Sequence, residues 1–195
     1  MAGKTGKIFI ITGPSGVGKD TVVGGLKNIR GYKSLDLKEP KSYTTRRRRK
    51  TDVEGQTPYI FVSQKKFSEL MLTDMIEHTE NHGHLYGMSK ASFEECIESG
   101  GNVIKIMNRD GALAFKKIYP NEAVTIYLRP PSVEVLAERL RGRGTESFAE
   151  YNRRMMNNIN EMKTMAEYDY VVTSSTPETT TKIVFAIIQA IAQSD

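Results

Sequence analysis

A glycine-rich segment near the start of the chain carries its most specific chemical pattern. It follows the apolar run from Ile8 to Ile11, precedes a predicted helix, and reads Gly13-Pro14-Ser15-Gly16-Val17-Gly18-Lys19. The spacing G-x-x-x-x-G-K puts glycines where the backbone must turn sharply and approach an anion. The N–H groups of the loop and of the helix start then point at phosphate oxygens. The pattern predicts a phosphate-binding loop, with Lys19 as a positive charge at the outer phosphates.

The position after this loop departs from the general pattern of phosphate loops. Asp20 stands where a Ser or Thr would ligate Mg²⁺, and Thr21 follows one place later. A carboxylate suits the first turn of a helix, but beside a polyphosphate it repels unless a cation lies between them. Asp20 is therefore the candidate metal ligand.

Two arginine groups that lie far apart in the sequence indicate a cleft for phosphorylated ligands. One group is the block from Arg46 to Lys50, and the other comprises Arg139, Arg141, Arg143, Arg153 and Arg154. The net charge of +5 favours anionic partners in general. Taken alone, the first block fits phosphate recognition no better than it fits a solvated charge run or a nucleic-acid patch. No aromatic series interleaves its arginines as a strand-stacking platform requires, so we expect no nucleic-acid partner.

Short β-rich runs alternate with helical patterns along the chain, which predicts an α/β fold. Besides the first strand, positions 103–107, 124–128 and 170–173 are predicted core strands, and Ser132 and Thr176 are predicted helix caps. The alternation changes in two places. We therefore predict a core of residues 1–40, 100–140 and 159–195, an inserted lobe of residues 41–99, and an arginine-rich lid of residues 141–158.

Bulk composition limits the remaining possibilities. The 195 residues, 38% of them hydrophobic, suit one domain with inserted lobes. The start of the chain has no secretory pattern, and no stretch approaches the roughly 20 apolar residues of a membrane span. Cys96 is the single cysteine, which excludes an intrachain disulfide. We expect a soluble cytoplasmic protein without a membrane partner, and a monomer and a homodimer both remain open.

Further motifs give the chain a resemblance to the guanylate kinase family over most of its length. Beyond the phosphate loop they are, in the family's order, Ser42-x-Thr44-Thr45-Arg46-x-x-Arg49, Tyr59-x-Phe61-Val62-Ser63, Glu77, Tyr86-Gly87, Gly111, Pro130-Pro131-Ser132, Gly142-Arg143-Gly144-Thr145 and Tyr168-Asp169. The resemblance implies a P-loop parallel-sheet core with helices on both faces, an inserted lobe that binds the nucleoside monophosphate, and a lid. It also implies transfer of a phosphoryl group from ATP to GMP or dGMP, with Mg²⁺ as cofactor.

The same resemblance implies roles for individual residues. ATP would be held by Gly13, Pro14, Ser15, Gly16, Val17, Gly18, Lys19, Asp20 and Thr21. GMP would be held by Ser42, Arg46, Arg49, Tyr59, Glu77, Tyr86, Met88 and Asn108. The catalytic cations would be Lys19, Arg46, Arg143 and Arg154. Glu77 is the expected base reader, because a carboxylate can accept from both N1–H and N2–H₂ of guanine, whereas N1 of adenine is itself an acceptor.

The departures from the family pattern fall mainly on the acceptor side. Met88 follows the Tyr-Gly pair, where the family has a Ser or Thr that donates to O6 of guanine, and methionine cannot donate. An Asp-x-Asp pair of the family corresponds to Ile106, Met107 and Asn108. Two alternatives therefore stay open: a divergent kinase for another nucleoside monophosphate or a phosphorylated sugar, and a non-catalytic guanylate-kinase-like interaction module.

Overall fold

Nine strands form two sheets in the part of the chain that the computed structural model describes, which is residues 6–49, 52–55, 57–81, 83–142 and 148–194. In chain order the strands are β1 (Ile8–Thr12), β2 (Leu37–Lys38), β3 (Ser42–Thr44), β4 (Tyr59–Phe61), β5 (Met75–Asn81), β6 (His84–Ser89), β7 (Asn102–Ile106), β8 (Ala123–Arg129) and β9 (Tyr170–Thr173). The helices are α1 (Lys19–Leu26), α2 (Gln64–Thr73), α3 (Lys90–Glu98), α4 (Arg109–Ile118), α5 (Val133–Arg141), α6 (Phe148–Met162) and α7 (Pro177–Ala192).

The central sheet has five parallel strands in the order β2-β7-β1-β8-β9. β1 lies in the middle and is buried along its whole length, as expected for a parallel strand that is covered on both faces. Ile10 of β1 pairs with Lys105 of β7 on one side and with Thr125 of β8 on the other. The carboxyl ends of β1 and β7 therefore meet at one edge of the sheet, where ligands of such folds bind.

Helices cover both faces of this sheet, which confirms the predicted fold class. On one face, α1 and α7 pack through residues that include Leu26 and Ile188. On the other face, α3 and α4 pack through residues that include Phe93 and Phe115. Contact between α1 and α7 is close, because a Cβ on Gly25 would lie 3.0 Å from Oγ1 of Thr181.

The second sheet lies within the predicted lobe of residues 41–99 and has the strand order β4-β3-β6-β5. β3 pairs in parallel with β4 and antiparallel with β6, and β5 pairs antiparallel with β6. Asp74 joins three pieces of this lobe, since its carboxylate accepts from Oη of Tyr43 at 2.7 Å, Oγ of Ser89 at 2.9 Å and the Ala91 N–H at 2.8 Å. The second sheet is thereby fixed to the start of α3.

Local sequence signals account for several helix boundaries. Ser132 and Thr176 accept hydrogen bonds from the N–H groups of Val135 and Thr179, so both predicted caps are confirmed. The helix α6 continues past the predicted lid boundary at residue 158 and ends at Met162. Among the helices described, none is long and apolar enough to span a membrane.

Candidate active site

The phosphate loop joins β1 to α1 and is held by its own backbone. Gly13, Gly16 and Gly18 all have positive φ, at 134°, 89° and 103°. At Gly13 a side chain is excluded as well, because a Cβ would clash with the carbonyl oxygen of Leu128. Gly18 caps α1 without a side-chain hydrogen bond, so the first N–H groups of the helix remain directed at the loop. This arrangement suits an anion.

Lys19 lies directly above this loop. Its Nζ donates to the carbonyl oxygens of Gly13 at 2.5 Å and Pro14 at 3.1 Å, which places the ammonium over the concave side of the loop. Val17 is buried beneath the loop, where its carbonyl oxygen accepts from Oγ of Ser174 at 2.8 Å. Asp20 and Thr21 are exposed in the first turn of α1.

The acceptor wall is built from two rows of side chains that cross the second sheet. Residues two apart on a strand share a face, and the registers align Tyr59, Ser42 and Met88 in one row. The next row contains Tyr86 and its partner Thr79. All five residues line a single cavity of about 230 Å³, which the phosphate loop closes on the opposite side.

Glu77 lies on β5, where the pairing with β6 shifts register between Met75 and His78, and it is the buried carboxylate of this wall. Burial raises the pKa of its carboxyl group to about 7, against the opposing influence of the Met88 N–H and of the positive charge on Lys105. Its Oε2 is buried without a hydrogen-bond partner among the described residues. A buried carboxylate oxygen that borders a cavity and lacks a hydrogen-bond donor is suited to accept from a ligand N–H.

Asn108 joins the acceptor wall to the central sheet. Its Oδ1 caps α4 by accepting from the Gly111 N–H at 3.0 Å, and its Nδ2 donates to Oγ1 of Thr79 at 2.9 Å. A Cβ on Gly111 would lie 3.2 Å from both Oδ1 of Asn108 and Oε2 of Glu77. The absence of a side chain at position 111 therefore leaves room for the carboxylate.

Met88 is fully buried and packs in the core cluster that contains Ile10 and Phe93, while it also borders the cavity. It lines the cavity beside Ser42 with apolar atoms. The wall therefore offers no hydroxyl at that position, in agreement with the departure noted in the sequence.

The predicted arginines occupy different places around the cavity. Arg49 lines it together with Tyr59 and Tyr86. Arg46 lies behind Tyr59, with its guanidinium 5.3 Å from the ring centroid, and donates to both carboxylate oxygens of Asp52 at 2.9 and 3.1 Å. Asp52 thus holds the guanidinium fork that was predicted to bind phosphate, a pairing for which the sequence contains no motif.

The helix α6, most of which falls in the predicted lid, contributes Arg154, Asn158 and Glu161 to the cavity. Asn158 forms a two-bond clasp with the phosphate loop, since its Oδ1 accepts from the Ser15 N–H at 3.0 Å and its Nδ2 donates to the Ser15 carbonyl at 3.1 Å. The amide oxygen of Asn158 thus accepts the hydrogen bond of a loop N–H that could otherwise donate to a phosphate oxygen. The predicted catalytic residue Arg143 lies outside the described residues.

One cavity thus brings together most of the predicted site residues that the structure describes, while Pro14, Val17, Thr21 and Arg46 are not among the residues that line it. The predicted residues that line it are Gly13, Ser15, Gly16, Gly18, Lys19, Asp20, Ser42, Arg49, Tyr59, Glu77, Tyr86, Met88, Asn108 and Arg154. Sequence reasoning missed Thr79, Lys105, Asn158 and Glu161, which also line it. A lysine inside the apolar run of β7 was the one sequence signal for any of these four.

A metal site made by the protein alone is absent from the described residues, where no group of three or more His, Cys, Asp and Glu side chains comes together. Asp20 lines the cavity at the helix end of the phosphate loop. Since Mg²⁺ is commonly bound by one or two carboxylates together with substrate phosphates, this single side chain fits the ion.

Similarity to known proteins extends over nearly the whole chain. The family model described as guanylate kinase matches residues 5–191. A guanylate kinase of Clostridioides difficile (strain 630) is 34% identical over 188 residues, which are 96% of this chain and 89% of that protein. One from Mycoplasma pneumoniae is 36% identical over 187 residues, 95% of this chain and 77% of that protein.

Solved structures give the same result at the level of the fold. The crystal structure of a guanylate kinase from Anaplasma phagocytophilum matches with a TM-score of 0.79 and 27% identity, over 97% of this chain and 88% of that one. A gluconokinase from Sinorhizobium meliloti matches with a TM-score of 0.51 and 15% identity, over 97% of this chain and 94% of that one, and so shares the fold alone.

Proposed function

Because the chain belongs to the guanylate kinase family, we propose that it transfers the γ-phosphoryl group of ATP to GMP or dGMP, giving ADP and GDP or dGDP. It is an ATP-dependent nucleoside monophosphate kinase. One observation carries the choice of substrates: a single cavity has the phosphate loop with Lys19 on one side and the buried carboxylate of Glu77 on the other.

The donor side supplies position and positive charge. Phosphoryl transfer passes through a loose transition state, so catalysis depends on aligning the two nucleotides and on neutralising charge at the moving group. The N–H groups at the start of α1 and the ammonium of Lys19 bind the donor phosphates. Arg154, from the lid helix, reaches the same cavity and stabilises the transferring group, and we assign Arg143 to the same task.

The acceptor side supplies recognition. Ionised Glu77 accepts from N1–H and N2–H₂ of guanine, and Ser42 contacts the same edge. The hydroxyls of Tyr59 and Tyr86 and the guanidinium of Arg49 bind the acceptor phosphate at the other end of the wall. Arg46 supports this end through its bidentate pair with Asp52 and its position against the ring of Tyr59.

Mg²⁺ fits the helix end of the phosphate loop. The carboxylate of Asp20 would hold the ion together with the phosphates of ATP. There the ion would neutralise phosphate charge and remove the repulsion between Asp20 and the nucleotide. The clasp between Asn158 and Ser15 docks the lid helix on the loop, which helps to exclude water from the reacting phosphates.

The test is a coupled assay of ADP release with ATP and Mg²⁺ against GMP, dGMP, AMP, CMP, UMP and no acceptor. We expect kcat/KM for GMP or dGMP to exceed that for every other acceptor, with negligible release in the control without acceptor. Transfer that favours another acceptor would replace GMP in the proposal. ATP binding without transfer to any acceptor would indicate the interaction module instead.

A further inference from the structure

A buried lysine on the central sheet has no role in the function described so far. Lys105 lies on β7 opposite Ile10 and is 4% exposed. Lysine is rarely buried to this extent without a partner, because taking an ammonium out of water is costly. Lys105 is one of the residues that line the cavity, together with Ser42 and Glu77. The fold therefore keeps an ammonium at the acceptor site despite the free energy that its desolvation costs.

The surroundings of this ammonium keep it charged and leave donors available. Burial lowers the pKa of Lys105 to about 8, while the charges of Glu39, Glu77 and Cys96 oppose that shift. Its Nζ donates to the carbonyl oxygen of Pro40. An ammonium has three N–H donors, and within the described residues Pro40 is its single hydrogen-bond acceptor. Two donors therefore remain for a ligand in the cavity.

Lys105 lies near Ser42, the residue that the proposed function places at the edge of the base. Pro40 stands two residues before Ser42, so the ammonium lies beside the row that contains Ser42 and Met88. Nζ is 6.0 Å from the ring centroid of Tyr59 in the same row. Lys105 and Glu77 interact electrostatically but form no ion pair within the described part of the chain. Both therefore face the cavity without neutralising each other directly.

The chemistry of guanine supplies a ligand atom for these donors. When N1–H and N2–H₂ donate to Glu77, the carbonyl oxygen O6 lies next to N1 on the same edge of the base and needs a donor. Met88 cannot provide one. O6 has two lone pairs, so the hydroxyl of Ser42 can satisfy one and leave the other.

We propose that Lys105 is a specificity-determining residue of the acceptor site, whose ammonium donates a hydrogen bond to O6 of guanine. The inference rests on the proposed function, since it deepens the recognition of GMP at that same site. A charged donor makes a stronger hydrogen bond than a hydroxyl. Adenine carries an amino group at position 6. Its N–H donors would face the N–H donors of the ammonium, so no hydrogen bond could form there. Lys105 thus favours GMP and disfavours AMP.

A positioning role through Pro40 is the competing explanation, because Pro40 adjoins the predicted start of the inserted lobe. The experiment separates the two roles by the acceptor. Lys105→Met is compared with wild type and with Lys117→Met, a matched control on the exposed side of α4. Each protein is assayed with GMP, AMP and 6-thioguanosine monophosphate. The last keeps N1–H and N2–H₂ but carries a sulfur, a weak acceptor, at position 6.

For Lys105→Met we expect kcat/KM with GMP to fall about 10- to 100-fold, the loss typical of a hydrogen bond to a charged group. We expect a much smaller fall with the thio analogue, a rise in the ratio of AMP to GMP, and no change in Lys117→Met. An equal loss with all three acceptors would show that Lys105 acts only through Pro40, and no loss with GMP would also overturn the proposal.

A second variant tests whether the missing donor is what matters. Met88→Ser is made in the wild-type and Lys105→Met backgrounds, so that the cost of opening a cavity at position 88 is common to both. Serine at position 88 should restore part of the preference for GMP over the thio analogue in the Lys105→Met background. This preference is a ratio of two rates, so the fraction of folded protein does not affect it. Absence of any such recovery contradicts the proposal.

A structure of the wild-type protein with GMP gives a test that needs no variant. The expected distance from Nζ of Lys105 to O6 is within about 3.2 Å. A base bound by Glu77 with O6 beyond hydrogen-bond reach of Nζ overturns the inference while the proposed function stands. If wild type transfers to none of the nucleotides, the proposed function fails first, so the two failures are distinguishable.

Discussion

The donor wall and the acceptor wall of the cavity are built in opposite ways. The phosphate loop is one contiguous segment, closed by its own glycines and by the bonds from Lys19 to the Gly13 and Pro14 carbonyls. The acceptor wall collects side chains from β3, β4, β5, β6 and β7, which pair only after the chain has folded back several times. In the proposed function, the locally built wall binds the phosphates that every nucleotide shares, and the wall built from distant segments binds the base that distinguishes one nucleotide from another.

The two walls also differ in how their charged groups are satisfied. Lys19 has bonds to loop carbonyls, whereas Oε2 of Glu77 lacks a partner and Lys105 keeps donors unused within the described residues. Unsatisfied buried groups destabilise the unliganded protein. A ligand whose donors and acceptors match them recovers that free energy, and a mismatched ligand does not. We therefore expect the specificity of the site to depend on the acceptor wall.

The largest effect should come from breaking the donor wall. Lys19→Ala removes the ammonium above the phosphate loop, and we expect kcat to fall about 10²- to 10³-fold with every acceptor. Binding of GMP, measured by calorimetry without ATP, should change little because Lys19 is on the other side of the cavity. Lys27→Ala, at the exposed end of α1, is the matched control. Turnover close to wild type in Lys19→Ala would contradict the assigned role of the phosphate loop.

A smaller and selective effect should follow from changing the base reader. Glu77→Gln keeps the shape of the side chain but replaces one acceptor oxygen by a donor amide. We expect kcat/KM for GMP to fall about 10²-fold and the rate with AMP to be maintained, because the amide matches the edge of adenine. The control is Glu80→Gln, an exposed residue on the same strand. If GMP and AMP lose equally, Glu77 supports the lobe and does not contact the base.

The pH dependence of the unmodified protein tests the acceptor wall without any substitution, and its expected effect is the smallest. Burial raises the pKa of Glu77 to about 7, against the Met88 N–H and Lys105, so its carboxyl group becomes protonated below that pH. Only the ionised form accepts from both donors of guanine. We expect kcat/KM for GMP to decrease up to about tenfold per pH unit below pH 7.

The control for this profile is AMP, whose phosphate titrates like that of GMP but whose base makes no use of the ionised carboxylate. Burial lowers the pKa of Lys105 to about 8, against the charges of Glu39, Glu77 and Cys96. As the pH rises through about 8 the ammonium loses its proton, and the GMP rate should decline again. A GMP profile that follows the AMP profile over the whole range would remove Glu77 and Lys105 from base recognition.

The sequence motifs differ in the contacts that their residues make in the structure. The Tyr168-Asp169 motif is structural, since Asp169 accepts from the Thr125 N–H and Oγ1 at 2.8 Å each and pairs with Lys116 at 3.0 Å, which fixes the approach to β9. The Arg46 motif is joined to Asp52, an ion pair that carries no pattern in the sequence. Motif order identified the family, and the contacts of each motif residue required the coordinates.

The sequence by itself determined the phosphate loop, the parallel α/β core and the helix starts at Ser132 and Thr176. Each depends on residues within a few positions of one another, and local backbone preferences act at that range. Only the tertiary structure decided the clasp between Asn158 and Ser15, the open oxygen of Glu77 and the place of Lys105 beside it. These depend on strand register and on helices packed from distant parts of the chain, which position side chains by contacts that no local pattern encodes.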